Sequence, residues 1–335
     1  MDYISVVEAA KKWNVSEVLV RKYCREHRVS KAKLRDGVWL IPADAPKPDR
    51  TSLPPKDVVE LPILAKRLMH QKSKRNFHGL YDYVQIYFTY SSSRLASNRL
   101  TRNQVESIFR KGKVRESFEP LKVSDCIEVL NHQFCVDSIL DQIGEPLSEK
   151  LIRNIHYMLM FGTVDMRKNR VTPGVYRSSK VPLRYKETPE ANMISDKMDE
   201  LIDAYEAQQE KDLKTILDFH VQFERIVPFE DGNGRVGRLI MFKECLRHDV
   251  MPFIIDDKHR KQYLSGIISW PKDRFELLQV ACTAQERFEQ VVARCKLGEY
   301  RQMGFEDMYA TLEEELPVEE LEYDEKKRTN RKRRR

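Results

Sequence analysis

Apolar residues recur at three- and four-residue spacing through most of residues 58–295, and that period predicts helices. It is carried by LPILAKRLMH (61–70), YDYVQIYFTY (81–90), RNQVESIFRK (102–111), SDCIEVLNHQFCVDSIL (124–140), SEKLIRNIHYMLMF (148–161), DKMDELIDAYEAQ (196–208) and LKTILDFHVQFERI (213–226). VTPGVYRSSKVPL (171–183) breaks the period and reads as a β-like excursion. At the other end, Val6, Ala9, Ala10 and Trp13 predict a first short helix, and Ser16 caps a second with Val18, Val20, Tyr23 and Cys24 as mixed inward positions. Asp36-Gly37, between KAKLR and VWLIP, is a tight-turn signal for a two-stranded wing.

Composition divides this pattern into units. PADAPKPDRTSLPPKD (42–57) holds five prolines, and proline fixes φ and removes a donor, so an extended linker is expected there. Past residue 298 the chain turns acidic, then ends in KKRTNRKRRR (326–335), which carries eight Lys and Arg and no acid. The other 51 basic residues, of 59 in all, meet 52 acidic ones, so the net +7 belongs to this tail. Opposed charge blocks of this kind are expected to lack fixed structure. Six scattered cysteines with no CxxC pair argue against a disulfide framework or a zinc site, and for a reducing, cytoplasmic setting. No apolar run nears the roughly 18–20 residues that span a bilayer, so no membrane partner is expected. The boundaries read this way are 1–47, a linker with a helix at 48–84, a main domain at 85–298 and a tail at 299–335.

The densest chemistry lies in RIVPFEDGNGRVGRLI (225–240). Gly232 and Gly234 allow backbone N–H groups to turn toward one point, and a helical run, RVGRLIMFKECLRH (235–248), follows directly. A glycine-rich turn entering a helix N-terminus makes an anion nest. Arg235 and Arg238, three apart, share a face and reach phosphate oxygens beside it. Asp231 supplies a hard oxygen suited to Mg²⁺ between phosphates. The residues alone thus describe a Mg-nucleotide or polyphosphate site, although an ordinary helix start with two solvated arginines fits the same letters.

VPFEDGNGRVGR, from Val227 to Arg238, resembles the signature of the Fic (Fido) family, H-x-F-x-[DE]-G-N-G-R-x-x-R, at every defined position but the first. FHVQFERI (219–226), LSEKLIRNIHYMLMFGT (147–163) and GVYRSSKV (174–181) agree with it, and the resemblance spans roughly 85–295. It implies a mainly α bundle with a short β-hairpin flap, and AMP transfer from ATP to a Ser, Thr or Tyr hydroxyl of a target protein. By matched position, Asp231 would hold Mg²⁺, Gly232, Asn233 and Gly234 would form the phosphate nest, and Arg235 and Arg238 would grip the β- and γ-phosphates. Phe229 would anchor the loop, while Gly174, Val175, Tyr176 and Arg177 would form the target flap. The family's general base opens the motif as histidine; this chain has Val227, which accepts no proton at any pH. His220 lies seven residues upstream, about 10 Å along a helix, and Glu230 would have to reverse its direction. His156 and His220 read as core or boundary residues. The family's inhibitory motif, [ST]-x-x-x-E-[GN], reads S-S-x-I-E-G-N-x-L-T in similar proteins; SSRLASNRLT (92–101) matches it at Ser92 and Asn98, but Ala96 stands at the glutamate and Ser97 at the glycine.

The N-terminal strings ISVVEAAKKWNVS, VRKYCREHRV and WLIPADA resemble the winged helix-turn-helix domains of the excisionase/MerR type. The resemblance implies duplex DNA as a partner, with Arg21, Lys22 and Arg25 toward it. Residues 1–50 carry 11 basic and 7 acidic residues, so useful affinity would need a homodimer. Three readings follow: a nucleotide-binding Fic-fold protein with lost or reduced transfer, an active nucleotidyl or phosphoryl transferase using another base, and a DNA-binding regulator with the Fic domain as sensor or dimerisation module.

Overall fold

The computed structural model describes residues 2–25, 28–35, 38–48, 61–74, 79–114, 121–179 and 188–296. In chain order the elements are β1 (Tyr3–Ile4), α1 (Val6–Trp13), α2 (Glu17–Arg25), β2 (Lys33–Arg35), β3 (Val38–Pro42), α3 (Ile63–Ser73) and α4 (Leu80–Tyr83). A π-helical turn (Val84–Phe88) then leads into α5 (Thr89–Leu95), followed by α6 (Arg102–Lys111), α7 (Val123–Asp141), α8 (Glu149–Met160) and α9 (Val164–Arg167). Last come α10 (Ile194–Glu206), α11 (Leu213–Ile226), α12 (Asn233–Arg247), α13 (Arg260–Ser269) and α14 (Phe275–Lys296). The expectation of a mainly helical protein is met.

Residues 2–48 build a small core from Val6, Ala9, Trp13, Val20, Tyr23 and Ile41. Ser5 and Glu8 close a capping box that starts α1, and the Ser16 hydroxyl accepts the Leu19 N–H as α2 begins. The sheet runs β1-β3-β2, all antiparallel. Its edge strand β1, two residues long, is too short to show alternation in sequence. The turn at Asp36-Gly37 lies outside the described residues, as do the acidic segment, the basic tail, most of the proline-rich linker and the side chain of Arg25.

One apolar cluster runs from Ala65 and Leu68 of α3 through Leu80 and Val84 to Val292 of α14. The main unit therefore begins with α3, not at residue 85, which falls inside the π-helical turn. At its centre, α12 is buried from Arg235 to Leu246 on every face. A second cluster on the far side joins α11, α12, α13 and α14 through Leu217, Cys245, Tyr263 and Leu277. α12 is thus wedged between both cores, and its N-terminus is held rigidly where the glycine-rich turn delivers it. Buried ionisable groups on it are paired: the Lys243 ammonium donates to Glu244 at 2.7 Å and to the Glu145 carbonyl at 2.6 Å. The six cysteines form no disulfide. No helix among the described residues is long and apolar enough to cross a membrane.

Candidate nucleotide site

α11 ends at Val227, which adopts φ 51 and ψ 63, the left-handed region, and donates its N–H to the Phe223 carbonyl. For a β-branched residue this conformation costs about 1–2 kcal/mol. The chain then turns back over α8. Phe229 is fully buried and stacks on the His156 ring, with centroids 3.7 Å apart and planes 7° from parallel. Asn233 locks the turn from within: its Oδ1 accepts the Phe229 N–H at 2.9 Å and its Nδ2 donates to the Phe229 carbonyl at 2.8 Å. The Asn233 amide thus holds the loop's shape, which leaves only its backbone for the expected nest. Gly232, at φ 81, needs both its freedom and its missing side chain, because a Cβ there would sit 3.1 Å from the Met160 sulfur. Among the described residues no side chain caps the start of α12, so its first N–H groups have no side-chain acceptor there.

Both arginines are buried, at 3% and 5% exposure, which sets aside the reading of two solvated side chains. Arg235 donates to Glu128 of α7 at 2.7 Å and to Asp231 at 3.3 Å. Burial raises the Glu128 carboxyl pKa, with Arg235 opposing the rise. Arg238 donates through Nε to the Ser92 hydroxyl at 3.1 Å and through Nη2 to the Ser92 carbonyl at 2.9 Å. Gly234 makes room for this guanidinium, since a Cβ would lie 3.0 Å from its Nη1. The Asp231 side chain stays 57% exposed, open toward a ligand. The described residues hold no cluster of three or more metal-binding side chains. One open carboxylate beside an anion nest fits Mg²⁺ brought in on phosphates, since that ion keeps most of its shell as phosphate and water.

The expected hairpin flap is not seen: residues 171–179 form turns and extended chain without a strand, and 180–187 lie outside the described residues. Gly174 and Val175 sit beside α8, and Tyr176 packs on Phe229 with centroids 5.4 Å apart. Arg177 turns inward. Its N–H donates to the Pro228 carbonyl at 2.9 Å, and its guanidinium donates to the carbonyls of Val227, Ser179 and Pro189. Three carbonyl acceptors suit a planar, always-charged fork, and they make this residue a clamp on the motif loop.

In the 92–101 segment, Ser92 faces Arg238 while Ala96 is exposed at the end of α5. Ser97 takes φ 72, the conformation a glycine adopts without strain. Asn98 bridges to α7, donating to the Asp125 carbonyl at 3.0 Å. Sequence reasoning missed Glu128, Arg153 and His156 as members of the site, while Ser92 was reached only through the inhibitory motif it resembles. Only His156 carried a local sign, a polar residue on the buried face of an amphipathic helix.

Residues 146–245 match the family model described as Fic/DOC. No curated protein sequence matches the chain. Among solved structures, a Fic domain containing signaling protein from Bacteroides thetaiotaomicron is similar at 18% identity and TM-score 0.56, over 72% of this chain and 95% of that one. Fic-1 from C. elegans is similar at 14% identity and TM-score 0.54, over 69% and 70%. At such identities the likeness speaks for the fold. The segment 146–245, which holds α8, α11, the glycine-rich turn and most of α12, is a Fic/DOC family domain, of a family generally linked to transfer of AMP or other nucleotide groups to targets.

Proposed function

We propose that this chain binds a magnesium-complexed nucleotide at residues 231–238 and transfers AMP to protein hydroxyls poorly or not at all. The observation that carries this reading is Val227, an aliphatic side chain at the end of α11 beside an otherwise complete motif. In AMP transfer a target oxygen bonds to the α-phosphorus, pyrophosphate leaves, and the hydroxyl proton needs an acceptor. The side chains nearest in sequence do not offer one. His220 is fully buried, bonds Tyr263 at 2.7 Å and lies against Gly237. Glu230 acts on Arg177 only through its charge, and its Oε2 is buried away from solvent. Losing a general base costs about 10²–10⁴ in rate. Asp231 would hold Mg²⁺, the uncapped start of α12 would take phosphate oxygens, and Arg238 would exchange Ser92 for one of them.

The test is calorimetric titration with Mg-ATP and Mg-ADP, followed by an adenylylation assay on lysate. Asn233→Ala, which frees the loop, and Arg235→Ala in a Glu128→Gln background, which leaves no buried carboxylate unpaired, should each weaken binding by about 1.5–3 kcal/mol. Unchanged affinity in both variants refutes the site. The regulator reading draws on α2, where Arg21 and Lys22 are exposed and Arg21 pairs with Glu17 of its own helix at 3.3 Å. The two functions are compatible on one chain.

A further inference from the structure

The motif loop and the 171–179 segment are far apart in sequence, yet both lie against α8 within about two turns of it, from Arg153 to Met160, and each places a positive-φ glycine there. A Cβ on Gly232 would meet Met160 and His156; a Cβ on Gly174, at φ 72, would lie 3.1 Å from the Arg153 carbonyl and 3.2 Å from the Tyr157 Cβ. Between them stands His156, with no exposed surface. Its Nδ1 accepts the Gly174 N–H at 2.9 Å, and its Nε2 faces the Asp231 carbonyl at 3.1 Å. A carbonyl only accepts and a backbone N–H only donates, so these partners fix one tautomer, with the proton on Nε2. Phe229 covers the ring face, and Arg153 Nε donates to the Gly174 carbonyl at 2.7 Å.

We propose that His156 is a positioning residue that sets the distance between the flap and the nucleotide loop, tying Gly174 to Asp231 through one neutral imidazole; its functional meaning rests on the nucleotide reading above. A buried histidine serving only to fill space needs neither bond. This one has both nitrogens committed to the two segments that a nucleotide and an incoming target would approach. The Asp231 carboxylate, open toward Mg²⁺, belongs to the same residue whose carbonyl the ring holds.

Residue-resolved amide exchange on the ligand-free chain tests this, because it does not depend on nucleotide binding. His156→Phe keeps the stack on Phe229 and loses both hydrogen bonds; the Gly174 and Phe229 amides should exchange about tenfold faster while the Leu239 and Ile240 amides of α12 keep their rates. His156→Asn, whose Oδ1 lies near the Nδ1 position, should restore Gly174 alone. His156→Gln, whose amide lies near the Nε2 position, should restore Phe229 alone. Equal exchange at Gly174 and Phe229 in wild type and His156→Phe overturns the proposal, as does uniform acceleration across α12 that neither amide variant corrects. Should the variants fail to fold, the wild-type imidazole ¹⁵N spectrum decides: a ring protonated at Nε2 supports the tether, and one protonated at Nδ1 refutes it. Mg-ADP affinity is then measured on the same proteins, with an expected loss of about tenfold in His156→Phe and recovery in the amide variants. A wild type that binds no nucleotide defeats the function reading while the exchange pattern still judges the tether.

Discussion

Val227→His changes two things that can be separated. The first is conformational. Position 227 sits at φ 51, where histidine and asparagine are found far more readily than valine, so the backbone relaxes by about 1 kcal/mol on replacement. Val227 is partly buried against the α11–α14 cluster, and losing that contact returns part of the gain, about 0.5 kcal/mol. The net is a small stabilisation, about 1–2 °C in melting temperature for a chain of this size. The second change is chemical: an imidazole at the end of α11 can take the target's proton, and transfer should rise by about 10²–10⁴. Val227→Asn supplies the conformational change without the base and should raise the melting temperature alone. The assay is transfer of α-labelled AMP from ATP to lysate proteins, read beside thermal unfolding of both variants. A Val227→His protein that melts like Val227→Asn, binds Mg-ATP and labels nothing would refute the claim that one residue carries the lesion. Strong labelling by the wild type would refute the assignment of the base.

Three further outcomes are expected. Ala96→Glu, built on Val227→His, should suppress the regained labelling, because position 96 is one turn beyond Ser92 on the face that meets Arg238, and its carboxylate would compete with phosphate for that guanidinium; undiminished labelling would count against this. Burial lowers the pKa of His132 and His220 to about 3 and of His156 to about 4, with Arg238 and Arg235 adding to the effect at His132. The folded state therefore refuses protons that the unfolded chain takes up below pH about 6.5, so stability present above that value should decline toward pH 4 by up to about 1.4 kcal/mol per unit for each ring, and a urea midpoint equal at pH 7.5 and pH 5 would contradict it. Duplex DNA retention should fall steeply with salt and weaken in Arg21→Ala; retention lost only when 326–335 is deleted would assign DNA binding to the tail.

The helices were legible where their faces differ. α6 and α11 have the bounds the apolar period predicts, and each starts at a side-chain cap, Thr101 and Asp212. α12 has no polar face, so it was found through its motif and not through its period. The π-helical turn left no trace in YDYVQIYFTY, a string too apolar to show where the register slips. The site divides in the same way. Gly232, Asn233 and the two arginines lie within seven residues, and local spacing sufficed to group them. Glu128 lies 107 residues from Arg235, Ser92 146 from Arg238 and His156 75 from Asp231, and nothing local in one sequence joins such pairs. Arg177 shows the limit of position matching, since the resemblance assigns it to a target flap and says nothing of the three carbonyls its guanidinium meets.

The π-helical turn at Val84–Phe88 has a consequence for how this site can change over generations. Such a turn accommodates one residue more than an α-helix would, and each residue advances a helix by about 100°. Ser92, which meets Arg238, lies downstream of it, and Tyr81, anchored to Asp137, lies upstream. Loss of one codon within 84–88 would straighten the helix and rotate Ser92 out of the pocket while leaving the anchor in place, presenting a different residue to the arginine. The partner of Arg238 thus depends on the extra residue this turn holds, and a single deletion there would exchange it without any change at Ser92 itself.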